Sequence, residues 1–137
     1  MKRLSALVPE RTRQISGGFS FIQHRFLLDG FLENLKTAEL CLYFFLVIAG
    51  DRNGVSWYGY DRICSMLRMD LNLYLDARNG LIDKDLVAFD GHRFQVLSLP
   101  EKPVAEAAPV LKTSADMAAN DPASIQNLIH RSLEGAK

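Results

Sequence analysis

Apolar residues change period along this chain, and each change predicts an element. The stretch "TAELCLYFFLVIAG" is apolar almost all the way round a helical wheel, which predicts a helix central to the core. Thr37 is read as its N-cap, Glu39 sits near the positive end of its dipole, and Gly50 with "DRNG" ends it. In "YDRICSMLRM", Tyr60, Ile63, Cys64 and Leu67 return at helical spacing on one face. Met69-Asp70 breaks that helix, and Asp70 caps the next, over 71–84. The period then drops to two in "LVAFDGHRFQVLSL", which reads as two strands joined at Asp90-Gly91, a pair that tolerates the positive φ of a two-residue turn. Upstream, "FSFIQHRF" predicts a short strand, 27–35 a short helix, and "VSW" a brief extended segment.

A lone hairpin is marginal in water, so this one must lie against something. A turn at Asp90-Gly91 sets Phe89 opposite His92 and Val87 opposite Phe94. Val87, Phe89, Phe94 and Val96 then share a core-facing side, while Arg93 and Gln95 point away. The expected fold is mainly α with a small β-hairpin, an α+β domain in which the hairpin seals one open side of a three-helix core. Phe31, Tyr43, Phe44 and Phe45 are core candidates; Tyr58 and Tyr60, beside Trp57, either present aromatics at the mouth of the following helix pair or, the favoured reading, close the core edge. Wound at about 100° per residue, 71–83 places Leu71, Tyr74, Leu75, Arg78, Leu81 and Ile82 inward. Asn72, Leu73, Asp76, Asn79, Gly80 and Asp83 then face outward, and Arg78 is expected to lay its stem along the core and pair with Asp76, Asp83 or a neighbouring helix.

The 137 residues leave room for one domain and tails. Residues 1–18 form a basic tail ending in two glycines, 19–100 the folded domain, 101–120 an Ala/Pro-rich linker, and 121–137 a short amphipathic helix. The stripe Ile125, Leu128, Ile129 and Leu133 on that last helix either packs on the body or docks on a partner, a second copy included. The longest apolar run, at 40–49, is about half the ~20 residues a membrane helix needs, and the amino terminus lacks a signal-peptide apolar core. A soluble, cytoplasmic, bacterial-style protein with no membrane association is the expectation. Cys41 and Cys64, both inside apolar helical patterns, are read as buried free thiols.

Candidate chemistry is sparse. His24, His92 and His130 stand far apart, with no cysteine or carboxylate at metal-ligand spacing. Neither a Gly-rich phosphate loop nor a nucleophile elbow occurs, and Asp83 and Asp85 flank a helix end where solvated carboxylates are normal. The expectation is a non-enzyme with no catalytic residue, metal or cofactor.

The order helix, short strand, helix, tight turn, helix, hairpin resembles a bacterial winged helix-turn-helix domain, with the hairpin as its wing. "GVSWYGYDRICSMLRM" is similar to that family's strand-to-helix entry, with Ile63-Cys64 standing for its Leu-Ala pair, Leu67 for the next apolar position and Arg68-Met69 for its Gly-Val turn. "LIDKDLVAF" resembles the entry into the wing, with Asp85 where a glycine usually sits and Leu86-Val87 as Leu-Ile. The likeness covers 35–99 and points to replication initiators and to transcriptional or mobile-element regulators. It implies sequence-directed binding of double-stranded DNA. The helix 71–84 would enter the major groove with Asn72, Asp76 and Asn79 as base readers, and Arg62, Arg68, His92 and Arg93 would touch phosphate. Arg11 and Arg13 would reach a minor groove, and a homodimer would supply paired half-sites.

Two departures stand out: Arg68 replaces the turn glycine, and "DLNLY" opens the recognition helix without the family's hydroxyl residues. Across 35–99 there are seven Lys and Arg against eight Asp and Glu, matching the whole-chain balance of 16 to 16. Because non-specific affinity for duplex comes chiefly from cations, a second expectation stands beside the first. It is a winged-helix adaptor that binds protein rather than DNA.

Overall fold

The computed structural model describes residues 4–105; the stripe Ile125, Leu128, Ile129 and Leu133 therefore lies outside the described residues. Four α-helices and a three-stranded antiparallel sheet make an α+β domain: α1 (Arg25–Leu28), α2 (Thr37–Ala49), β1 (Val55–Ser56), α3 (Tyr60–Leu67), α4 (Leu71–Asp83), β2 (Val87–Phe89) and β3 (Phe94–Val96). Residues 4–24 run exposed, with one 3-10 turn at Pro9–Arg11. The strand expected in "FSFIQHRF" is not there, and the helix expected over 27–35 is the single turn α1 followed by loose turns. Phe19 and Phe21 alternate as a strand would, yet both are exposed and find no partner strand to satisfy their backbone.

The core is built on α2. Leu42, Tyr43 and Leu46 are buried, and Tyr43 stacks at 4.9 Å on Phe26, whose ring lies 6.3 Å from Phe31. Ile63 from α3, Tyr74, Ala77 and Leu81 from α4, and Leu86, Val87 and Phe94 from the hairpin complete it. Each full burial of a Leu or Ile contributes roughly 2 kcal/mol against exposure. The helix is not apolar-in all round: Cys41, Phe44 and Ile48 are exposed, which corrects the reading of Phe44 as core and of Cys41 as a buried thiol. Its N-cap is Lys36, one residue before Thr37, and the Lys36 backbone N–H donates to Glu39 Oε1 at 2.9 Å.

That Glu39 carboxylate does more than cap. Glu39 and Lys84 are each only 2 % exposed and meet at 2.6 Å, and Lys84 Nζ also donates to the Asn34 carbonyl at 2.7 Å. The pair fastens the start of α2 to the end of α4.

Between α3 and α4 the chain turns at Arg68, whose φ of 55° is left-handed, with the Arg68 and Met69 N–H groups both donating to the Cys64 carbonyl. Asp70 then caps α4, its Oδ1 accepting from the Leu73 N–H at 2.7 Å. Asp85 is also left-handed, at φ 61°, where α4 hands over to β2 and the Leu86 N–H donates to Leu81. Both left-handed residues carry a Cβ that glycine would not, and that conformation costs L residues about 1 kcal/mol. Asp85→Gly is therefore expected to stabilise the domain by about 1 kcal/mol, read as a higher urea midpoint.

In the sheet the strand order is β1-β3-β2. Phe89 pairs with Phe94, Ala88 with Gln95 and Val87 with Val96, so the turn centres on Gly91-His92 rather than Asp90-Gly91. Asp90 moves the turn: its Oδ1 accepts from the backbone N–H groups of His92 and Arg93 at 2.9 and 2.6 Å, and only Gly91 takes a positive φ. The corrected pairing differs by two residues, an even step that keeps each side chain on its face. Val87 and Phe94 are accordingly buried, Phe89 and Val96 half-buried, and Ala88 and Gln95 exposed.

Candidate nucleic-acid interface

The first turn of α4, Leu71 to Leu73, is exposed between the buried Met69 and Tyr74. Asn72 and Asp76 are exposed, as expected, and so are Leu71 and Leu73; the wheel had placed Leu71 inward. Asn79 is the correction: only 8 % exposed, it accepts from the Arg78 guanidinium at 3.1 and 3.3 Å and is not available to a base edge. A helical wheel divides α4 into one inner and one outer half, but its second half is covered from several directions. Gly80 lies against Glu39 of α2, while Arg78 lies 5.0 Å from the Phe89 ring of β2 and 6.0 Å from Tyr74. The Arg78 head rests on aromatic faces rather than reaching out.

The candidate phosphate contacts are all exposed. Arg68 is exposed at the left-handed turn immediately before α4. Arg62 is exposed near the start of α3. Its guanidinium lies 5.7 Å from the Tyr58 ring, and Tyr58 in turn meets Phe45 edge-on at 5.2 Å. Arg93 is exposed at the hairpin, 5.4 Å from the Trp57 ring. Register explains the last contact: Ser56 pairs with Phe94, which puts Trp57 beside Arg93 across the β1–β3 ladder. His92 is exposed in the turn. Two arginines from distant parts of the sequence are thus parked on consecutive aromatics.

Arg93 is partly neutralised, because its Nε also meets Asp90 Oδ2 at 3.0 Å. The Asp90 carboxyl is held down to about 2, first by the Arg93 backbone N–H, then by that of His92, with the guanidinium adding less. A depressed carboxylate stabilises the fold in full above its ordinary value near 3.8 and loses that contribution as pH falls towards about 2. The hairpin is therefore expected to loosen between those limits while the helices persist. Amide hydrogen exchange at His92 and Arg93, tracked against Asp90→Ala, reads this directly.

The aromatic half of this surface was misread in the sequence. Tyr60 does not close the core edge but is exposed, as is the neighbouring Trp57, and of the two tyrosines only Tyr58, edge-on to Phe45, leans on the body. The available signal was position: three aromatics straddle a helix start, after a strand too short to bury them all. Among the described residues no group of three or more His, Cys, Asp or Glu is placed to hold a metal ion. No helix of the described residues is long and apolar enough to cross a membrane. The chain matches no family model, and no curated protein or solved structure matches it.

Proposed function

We propose that this chain is a winged helix-turn-helix module that binds duplex DNA, with α3, the Arg68 turn and α4 as the helix-turn-helix and β2–β3 as the wing. The observation that carries the reading is a set of exposed arginines, Arg68 in the turn before α4 and Arg62 and Arg93 on the consecutive aromatics Tyr58 and Trp57, together with the exposed Asn72 and Asp76 of α4. In this reading Asn72 and Asp76 meet base edges, Asn to adenine and Asp to cytosine, and the arginines with His92 follow the phosphates. Three cationic contacts per protomer imply a log–log salt slope of about −3, which is weak for a monomer. A second copy on a neighbouring half-site would double it.

Titration of a labelled random duplex at low salt, followed by anisotropy, tests this. Arg62→Ala and Arg93→Ala are each expected to lower the salt slope by about 1 and to weaken all sequences alike, whereas Asn72→Ala relaxes preference among sequences. Wild-type slopes in both arginine variants would overturn the assignment.

A second reading keeps the fold and makes it a protein-binding adaptor. It is favoured by Met66, Leu71 and Leu73, three half-exposed apolar side chains around the helix-turn-helix, where a DNA-reading surface would carry polar groups. A folded protein that gives no anisotropy change with duplex at low salt supports it.

A further inference from the structure

We propose that the cleft beside β1 takes an unpaired nucleotide, its base against Trp57 and its backbone along Arg62 and Arg93. The inference rests on the nucleic-acid reading above and names a second, single-stranded substrate for the same arginine–aromatic surface.

The cleft, about 420 Å³, opens between the end of α2, the strand β1 and the start of α3, and its walls include Ala49, Val55, Ser56, Trp57, Tyr58 and Arg62. That volume lies within the roughly 300–1,000 Å³ of small-ligand sites. Two features meet there. First, Trp57 is 69 % exposed immediately after the edge strand β1. Arg93 covers one part of its indole, and the rest is an open stacking surface, which suits a base of any identity because every base has a π-face. Second, Arg62 and Arg93 lie on the two consecutive aromatics, 5.7 and 5.4 Å from their rings, so cations flank the stacking surface.

Two carboxylates decide which part of a nucleotide enters. Asp51 lines the cleft and is kept ionised by N–H donors from Val55 and Asn53. Asp61 folds back beside Gly59 at the start of α3. Both repel phosphate from the interior, so the base goes in and the backbone stays out along the arginines. A duplex keeps its bases stacked inside and offers Trp57 nothing comparable.

Trp57 is the one tryptophan among the 137 residues, so its fluorescence reports the site without a label. Titrating the full chain with short oligothymidine is expected to quench that fluorescence, while a blunt duplex of the same length leaves it nearly unchanged. Oligouridine in a parallel arm shows whether deoxyribose or ribose is preferred, and quenching by either supports the site. With a labelled oligothymidine, Trp57→Ala is expected to weaken binding about tenfold and Trp57→Phe to restore part of it. Arg62→Ala lowers the single-strand salt slope by about 0.7. Oligothymidine that binds without quenching, or binds Trp57→Ala as it binds wild type, overturns the inference. Duplex binding with no single-strand binding overturns it and leaves the duplex reading standing. If neither nucleic acid binds, both readings fall.

Discussion

Gly80→Ala is expected to destabilise the domain by about 3 kcal/mol, although alanine is the better helix former by roughly 1 kcal/mol. The reversal of sign comes from one contact. A Cβ built on Gly80 would lie 1.8 Å from Glu39 Oε2 and 2.8 Å from its Cδ, so the two cannot coexist. Glu39 is not free to swing aside, because its other oxygen holds Lys84 at 2.6 Å and the Lys36 N–H at 2.9 Å. Making room for one methyl group therefore breaks a buried ion pair or pushes α4 off α2. Urea unfolding of the variant measures the loss. A midpoint at or above wild type would show that α2 and α4 do not approach at this point.

Lys84→Ala carries the second large effect, a loss of about 3–5 kcal/mol. The substitution removes a buried aliphatic stem and strands the Glu39 carboxylate and the Asn34 carbonyl, which Lys84 Nζ had satisfied. A buried charge without its partner is far more costly than the pair is favourable. Glu39→Leu combined with Lys84→Met is accordingly expected to recover most of the loss, since apolar side chains of similar size ask for no partner. Chemical denaturation of Glu39→Leu, Lys84→Met and the double variant gives the coupling. Additive losses would mean that the two charges do not depend on each other.

That pair also marks the limit of what local pattern could reveal. Glu39 reads in sequence as an acidic residue at a helix start and Lys84 as a helix end, and 45 residues separate them. Only Gly80, a glycine in a helix interior with no turn to serve, hinted that another element comes close. Asn79 was misplaced for a related reason: a wheel assigns two faces, and α4 has neighbours on more than one side. The hairpin faces were legible because alternation by two survives a shift of two, but the pairing itself was not. It depends on which backbone N–H groups the Asp90 carboxylate takes, and a short Asp-Gly signal does not contain that. The Asp70 cap and the left-handed Arg68 and Asp85 were legible as positions, since each falls where a helix must stop or start. Of the proposed interface, the arginines and Asn72 were found from the chain alone. Trp57 needed the strand pairing that sets it beside Arg93 of the hairpin.

The way the described chain ends has a mechanical consequence. Arg25 lies 5.2 Å from the Phe31 ring and donates to the carbonyls of Leu99, Pro100 and Glu101, and the Asn34 side chain donates to that of Val104. Tension applied to whatever follows residue 105 is taken up first by this clasp on α1 and its aromatic stack. The β2–β3 ribbon, the most slender part of the body, is thereby shielded from any tug on the carboxy-terminal side.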